Sequence, residues 1–283
     1  MPESDRRLAL ADWITAPNNP LTARVIVNRL WQWHFGRGIV PTPSDFGYGG
    51  QPPSHPDLLD WLAAELIREN WNLKSIHRLI LTSQTYQMTS RVAAPLRATQ
   101  IDSDNRLLWR MNSRRLEAEA IRDAVLAVTG NLSREMGGPG YRDFEYEEAY
   151  APIYRYKTAD TPDLWRRSVY RFVVRTTPQP FLATLDCPDP ANLTPTRNVT
   201  TTVLQSLAMF NNDFMLKQSQ HFANRLMKES DHLEDRIDLA FRLAFSRPAS
   251  PEEIEACHAL VDRQGLMHLC RVLLNANEFV NVD

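Results

Sequence analysis

The chain has 283 residues, 43% of them hydrophobic, with 32 basic side chains against 34 acidic ones and a net charge of −2 when histidines are neutral. That length fits one large or two small domains. The near balance of charge gives no general attraction to nucleic acid or to acidic membranes, which need clustered Lys and Arg.

Ser4 is placed to cap a first helix that carries Leu8, Leu10, Ala11 and Ile14 and is stopped by the Ala-Pro-Asn-Asn-Pro run at 16–20. A second helix is expected over 22–35, with Val25, Leu30, Trp31 and Phe35 as its apolar face and Gly36 and Gly38 suited to a left-handed exit. A Pro/Gly-rich loop follows over 41–53. Ser54 then reads as the N-cap of a helix with Pro56 and Asp57 in its first turn and Leu58, Leu59, Leu62, Ala63 and Leu66 as a buried stripe. Leu73, Ile76, His77, Ile80 and Leu81 repeat the pattern, and a further helix over 116–129 ends at Gly130.

Between 136 and 195 the helical period fails. The alternation over 169–175 makes it the best strand candidate, in a small sheet or hairpin, while 142–163, rich in Tyr and acidic residues, reads as a mobile surface excursion. Helices return after Thr200, with Val203, Leu207, Phe210 and Phe214 one turn apart and then Ile237, Ala240, Phe241 and Ala244. Ser250-Pro251-Glu252-Glu253 is a capping box with proline at the first helical position, and Leu266, Leu269, Leu273 and Phe279 mark a final helix. The pattern predicts a mainly α fold, a multi-helix orthogonal bundle with a small β-hairpin or short sheet and a long irregular central excursion. It is expected as a single helical domain over 1–283, with halves at 1–135 and 201–283 around the excursion at 136–200.

Few residue groups in this chain form a chemical signature. Cys187, Cys257 and Cys270 lack the CxxC and CxxCH spacings of zinc, thiol-redox or covalent haem sites and read as small buried thiols. His34, His55 and His77 with Asp45 have the chemistry of metal ligands, but none shows the i, i+4 spacing of HExxH, so structural hydrogen bonding is the preferred reading and no metal is expected. Arg114, Arg115, Glu117, Glu119, Arg122 and Asp123 suit either an arginine-lined anion site or a salt-bridged inter-helix face, and the second is preferred. Glu145, Glu147, Glu148, Asp160 and Asp163, with Tyr146, Tyr150, Tyr154 and Trp165 as stacking platforms, suit glycosidic chemistry or, more simply, a solvated docking surface. Ser83, Ser168 and Ser206 lack a nucleophile elbow, and Gly137-Gly138-Pro139-Gly140 is a turn with no P-loop lysine after it.

Several ordered blocks carry a family resemblance: Asn28-Arg29-Leu30-Trp31 with His34-Phe35-Gly36-Arg37-Gly38, Pro41-Thr42-Pro43-Ser44-Asp45-Phe46-Gly47, and His55-Pro56-Asp57-Leu58-Leu59-Asp60-Trp61. Trp71 with Lys74-Ser75-Ile76-His77-Arg78, Arg114-Arg115-Leu116 with Glu119, and Leu274-Asn275-Ala276-Asn277-Glu278-Phe279 extend it over nearly the whole chain. Together they resemble the planctomycete-specific domain of unknown function at the C-terminus of secreted cytochrome-c-like proteins. The resemblance implies a periplasmic or cell-envelope location, although the opening Met-Pro-Glu-Ser-Asp-Arg-Arg has no secretory core and would by itself leave the chain cytoplasmic; it also implies a domain excised from a longer protein. It places haem c in an upstream domain, with no cofactor in this chain.

Two readings follow. In the first the chain is a non-catalytic helical interaction or scaffold module whose partner is the preceding domain of its polypeptide, another envelope protein or a polysaccharide, with no nucleic acid and no membrane insertion. Its binding residues are expected among Trp31, Arg37, Asp45, His55, Arg115, Glu119, Tyr146 and Trp165. In the second it is an enzyme acting on polysaccharide or oxidised sugar beside a haem-c domain, with His34, Asp45, His55 and Arg115 as catalytic candidates, at least two of them in one concave pocket.

Overall fold

The computed structural model describes residues 2–91 and 97–282. The described residues are mainly helical, with thirteen α-helices and a small antiparallel hairpin, as the periodicity predicts. Where one domain is expected, they gather into two compact units that divide between Arg114 and Arg115, each with its own apolar core. Among the described residues no helix is long and apolar enough to cross a membrane.

The first unit contains α1 (Glu3–Thr15), α2 (Thr22–Phe35), α3 (Pro56–Arg68), α4 (Leu73–Leu81) and the short α5 (Arg97–Ile101). Its core joins Val27, Leu30 and Phe35 of α2 to Leu59, Leu62 and Leu66 of α3 and Ile76 and Ile80 of α4. Trp31 stacks on Phe35 with centroids 4.2 Å apart, and Tyr86 meets Phe35 edge-on. α1 departs from the expected amphipathic helix, for none of its residues is buried. Leu8 and Leu10 lie two residues apart and so point to different sides, leaving at most a partial apolar stripe. α1 begins at Glu3 behind Pro2 with no side-chain cap, and Ser4 bonds Asp5 instead. Ser54 likewise does not cap α3: its Oγ contacts Ile39 O and His55 Nδ1, and His55 occupies the cap position.

At the exit of α2, Gly36 adopts φ +81°, the expected left-handed turn. Gly38 is required for a different reason. The Asn28 side chain, wholly buried on α2, donates to Val40 O at 3.0 Å and accepts from Val40 N–H at 2.8 Å, so its amide pairs with the returning backbone as a neighbouring strand would. A Cβ on Gly38 would sit 2.7 Å from Asn28 Nδ2 and 2.6 Å from Val40 O.

The second unit contains α6 (Ala118–Val128), α7 (Pro180–Thr184), α8 (Val203–Asn211), α9 (Asp213–Glu229), α10 (Leu233–Phe245), α11 (Pro251–Gln264), α12 (Leu266–Leu274) and α13 (Asn277–Val280). Its core forms around α9, whose Phe214, Met215, Phe222 and Leu226 are buried with Ile121 and Val125 of α6 and Leu269 and Leu273 of α12. The expected stripe 203-207-210-214 is broken because extended Asn212 ends α8 and caps α9, its Oδ1 accepting Phe214 N–H at 3.0 Å; Val203 and Leu207 are therefore exposed. The capping box at Ser250 and Glu253 forms as expected.

The hairpin lies in the segment expected to be an excursion: strands Phe144–Glu147 and Ile153–Tyr156 pair with Tyr146 opposite Tyr154. The 169–175 candidate instead contains a 3₁₀ turn, Ser168–Tyr170, and a single bridge from Arg171 to Tyr141. The residues that turn inward there, Arg171 and Val174, are three apart, so the segment does not follow the period of two of a pleated strand.

Replacing Asn28 with Ala leaves both Val40 groups buried without partners and is expected to destabilise the first unit by about 2–4 kcal/mol. A lowered urea midpoint for that unit checks this, and an unchanged one would refute the pairing.

Candidate functional site

Most sequence-nominated groups of the first unit serve local architecture. Asp45 Oδ1 accepts Gly47 N–H at 2.8 Å in an Asx turn. Gly49 and Gly50 close around that turn: a Cβ on Gly49 would lie 2.7 Å from Asp45 Oδ2, and one on Gly50 2.1 Å from Asp45 O. His55 Nδ1 is 2.9 Å from Ser54 Oγ. Trp31 is buried in the core, and exposed Arg37 shares with it a small cleft that Asn105 also lines.

His34 is different. Its Nε2 lies 2.8 Å from His77 Nδ1 on α4, the rings nearly perpendicular, with Tyr86 edge-on 5.6 Å away. One ring must donate and the other accept, so the pair shares a single proton across the bond. Burial, then the neighbouring His77 and Arg114, pulls His34 below its ordinary value of 6.5. Among the described residues no three His, Cys, Asp or Glu side chains group as metal ligands.

The second unit holds the denser polar constellation. Arg115 is bound to Gln205 Oε1 at 2.6 Å and to the carbonyl of Thr200. Glu119, on the first turn of α6, takes two hydrogen bonds from Arg197, at 2.7 and 3.1 Å, and one from the Cys187 thiol at 3.6 Å. Burial pushes the Glu119 carboxyl up, but the Arg197 hydrogen bonds and charge outweigh it and hold the group below the usual range. Burial and the adjacent Glu119 push the Cys187 thiol up to about 11, so it remains protonated near neutral pH.

One turn further along α6, Arg122 is buried. Its guanidinium donates to Leu164 O at 2.5 Å, Arg166 O at 3.0 Å and Ser168 Oγ at 3.3 Å, and it lies over the rings of Tyr141 and Phe214. Asp123 beside it accepts the Ser168 N–H with both oxygens at 2.9 Å and the Ser168 hydroxyl at 2.7 Å. These bonds fasten the irregular segment 164–171 to α6 and carry Arg171 inward, 3.8 Å from buried Asp143. Burial raises the Asp143 carboxyl, against the opposing pull of Arg171. A cleft of about 210 Å³ opens beside this array, lined among others by Glu119, Ser168, Arg171, Leu182, Cys187 and Arg197.

Tyr146 is exposed on the hairpin, tilted against Tyr154 at 5.5 Å, with Arg155–Glu147 and Lys157–Glu145 ion pairs across the strands. Trp165 is half-buried and meets His221 edge-on at 5.4 Å, while His221 and Lys217 both bond Asp160.

Thus His34, Asp45 and His55 belong to the first unit and Arg115 to the second, and none of the four lines the clefts described here. Glu119 does line one, beside Ser168, Arg171, Cys187 and Arg197. Sequence reasoning set Ser168 aside for want of an elbow and Cys187 as a structural thiol, and it did not single out Arg171 or Arg197. Arginines in proline-rich, aperiodic sequence give no local signal of burial. The Phe-x-Tyr and Tyr-x-Tyr alternations at 144–146 and 154–156 are the signal that could have located the hairpin strands, which the sequence reading passed over as an excursion.

Lowering the folded-state value of His34 means that the folded chain binds fewer protons there than the unfolded chain. Its contribution is then complete above pH 6.5 and is lost as the pH falls through the folded value. The urea midpoint of the first unit is expected to drop on acidification below 6.5, and His34→Gln to flatten that dependence. A midpoint that rises on acidification would contradict the pairing.

A family model described as PSD1, protein of unknown function (DUF1553), matches residues 6–261. No curated protein and no solved structure matches the chain.

Proposed function

The chain belongs to this family of unknown function, and on that premise we propose that it is a non-catalytic helical interaction module of a larger cell-envelope protein of cytochrome-c type. The observation that carries the reading is α1. All thirteen of its residues lack burial, and it holds Leu8, Leu10, Trp13 and Ile14 at the surface. Leu10, Trp13 and Ile14 are spaced i, i+3, i+4 and share one side, a partial apolar stripe that stays exposed among the described residues. Isolated helices shorter than about 12–15 residues are marginal in water, so a cover for this stripe stabilises the helix as well as the complex.

The helix is also aimed. Buried Asn19 donates to Trp13 O at 3.0 Å and accepts from the N–H groups of Leu21 and Thr22, while Thr22 Oγ1 donates to Ile14 O at 2.8 Å. Those bonds fix the C-terminal end of α1 to the start of α2, which suits an arm that presents its apolar side to a partner. The preceding domain of the same polypeptide or a neighbouring envelope protein is the partner this reading requires. The engagement of Asp45, His55 and Arg115 in structural hydrogen bonds supports the non-catalytic half of the proposal. The placement beside a haem-c segment in the envelope rests on the ordered sequence blocks alone.

A photo-crosslinker at position 13 of the native full-length protein is expected to capture one defined envelope protein or upstream domain, and Trp13→Ala to weaken that association by about 2 kcal/mol or more. Absence of a specific crosslink, or turnover of a polysaccharide by the purified chain, would overturn the proposal.

A further inference from the structure

The second unit carries a helix whose outer side is apolar. In α8 the buried residues are Gln205 and Met209, whereas Val203, Leu204 and Leu207 are 78%, 64% and 50% exposed, and Val199 just ahead of the helix is exposed as well. Val203 and Leu204 precede Leu207 by four and three residues, so the three share one side. A helix that is apolar on its outer side belongs to an interior rather than to a wet surface.

That side cannot turn inward. Thr202 and Gln205 form a reciprocal capping box at the start of α8. The Gln205 amide is held further by Asp186 Oδ2 and Thr200 Oγ1, each at 2.9 Å, and by the Arg115 guanidinium at 2.6 Å. At the other end Arg271 lies 3.7 Å over the Phe210 ring and donates to Phe210 O at 2.6 Å. With both ends fastened, covering Leu207 requires a second surface.

The chemistry of the patch selects that surface. Between Arg197 and Asp213 the chain has no ionisable side chain, only apolar, hydroxyl and amide groups. A patch of this kind has no like charge to repel its own copy and no ion with which to select a charged partner. The net charge of −2 adds little long-range repulsion between copies. Two-fold pairing sets α8 antiparallel to itself, which brings the apolar residues together and opposes the two helix dipoles favourably.

We propose that α8 is a self-association face, on which two copies of the chain pair about a two-fold axis with Val203, Leu204 and Leu207 of each against those of the other. This patch is separate from α1, and the proposal does not rest on the reading of that helix.

Four exposed side chains cover less than the ~800 Å² per partner of a standard interface, so a reversible monomer–dimer equilibrium is expected, half-associated at about 10–100 µM. Sedimentation equilibrium of the chain across that range reads it. Leu204→Asp and Leu207→Asp each place a charge at an exposed position, so circular dichroism is expected to be unchanged while association weakens at least about tenfold. Trp13→Ala, which alters the other exposed helix, is expected to leave the dimer intact. A wild-type chain that stays monomeric to about 500 µM or grows beyond a dimer would overturn the proposal. So would a dimer that persists unchanged in folded Leu207→Asp, or one that is lost in Trp13→Ala.

Discussion

The second unit depends on one buried guanidinium. Arg122 projects from a helix of ordinary amphipathic pattern into a region where the backbone follows no ladder, and it supplies donors to carbonyls that would otherwise be buried unpaired. Asp123, next in sequence, performs the complementary task by accepting the N–H and hydroxyl of Ser168. Adjacent residues of opposite charge thus hold an irregular segment against a helix, one serving acceptors and the other donors. The planar fork is what allows several acceptors to be reached from a single side chain, so lysine is no equivalent here. The position of Arg171, and therefore the character of the cleft wall, follows from where that segment is held.

A related device organises the first unit at lower charge. The Asn28 amide imitates a strand edge for Val40, and this is possible only because Gly38 leaves room for the approach. The stretch that identifies the family is largely occupied by such fittings: a left-handed glycine at the helix end, a glycine beside a buried amide, and two glycines closed around the Asp45 turn. Residue types that suggest a reaction when met in a row are, in three dimensions, mostly the parts of a corner. The His34–His77 contact is the exception, since its consequence is electrostatic as well as steric.

What could be read in advance followed from periodicity. The stripe of α3 and the box at Ser250 and Glu253 are local patterns that formed where the spacing placed them, whereas α2, α4 and the last helix did so in part: Val25 stays outside the buried core, Leu73 and Leu81 are exposed, and Phe279 belongs to the separate α13. The misreadings share a cause. Val203 and Phe214 look like one face until Asn212 breaks the backbone between them, and 169–175 looks like a strand from its alternating residue types, although the residues that turn inward, Arg171 and Val174, are three apart. Glu119 was legible as a charged residue at a helix start, but its partner Arg197 lies 78 residues away in aperiodic sequence. Such pairings are set by tertiary packing and leave no trace in spacing. The division into two units was equally silent, because both are built from helices of similar composition.

The bare side of α1 has a consequence for handling the protein. Leucine, tryptophan and isoleucine exposed along one helix offer any second copy an apolar contact of the same kind, so crowding favours loose, non-specific clustering of the chain. The side chains of α1 thereby add one apolar contact to the others that the chain presents at its surface, such as Val203 and Leu207.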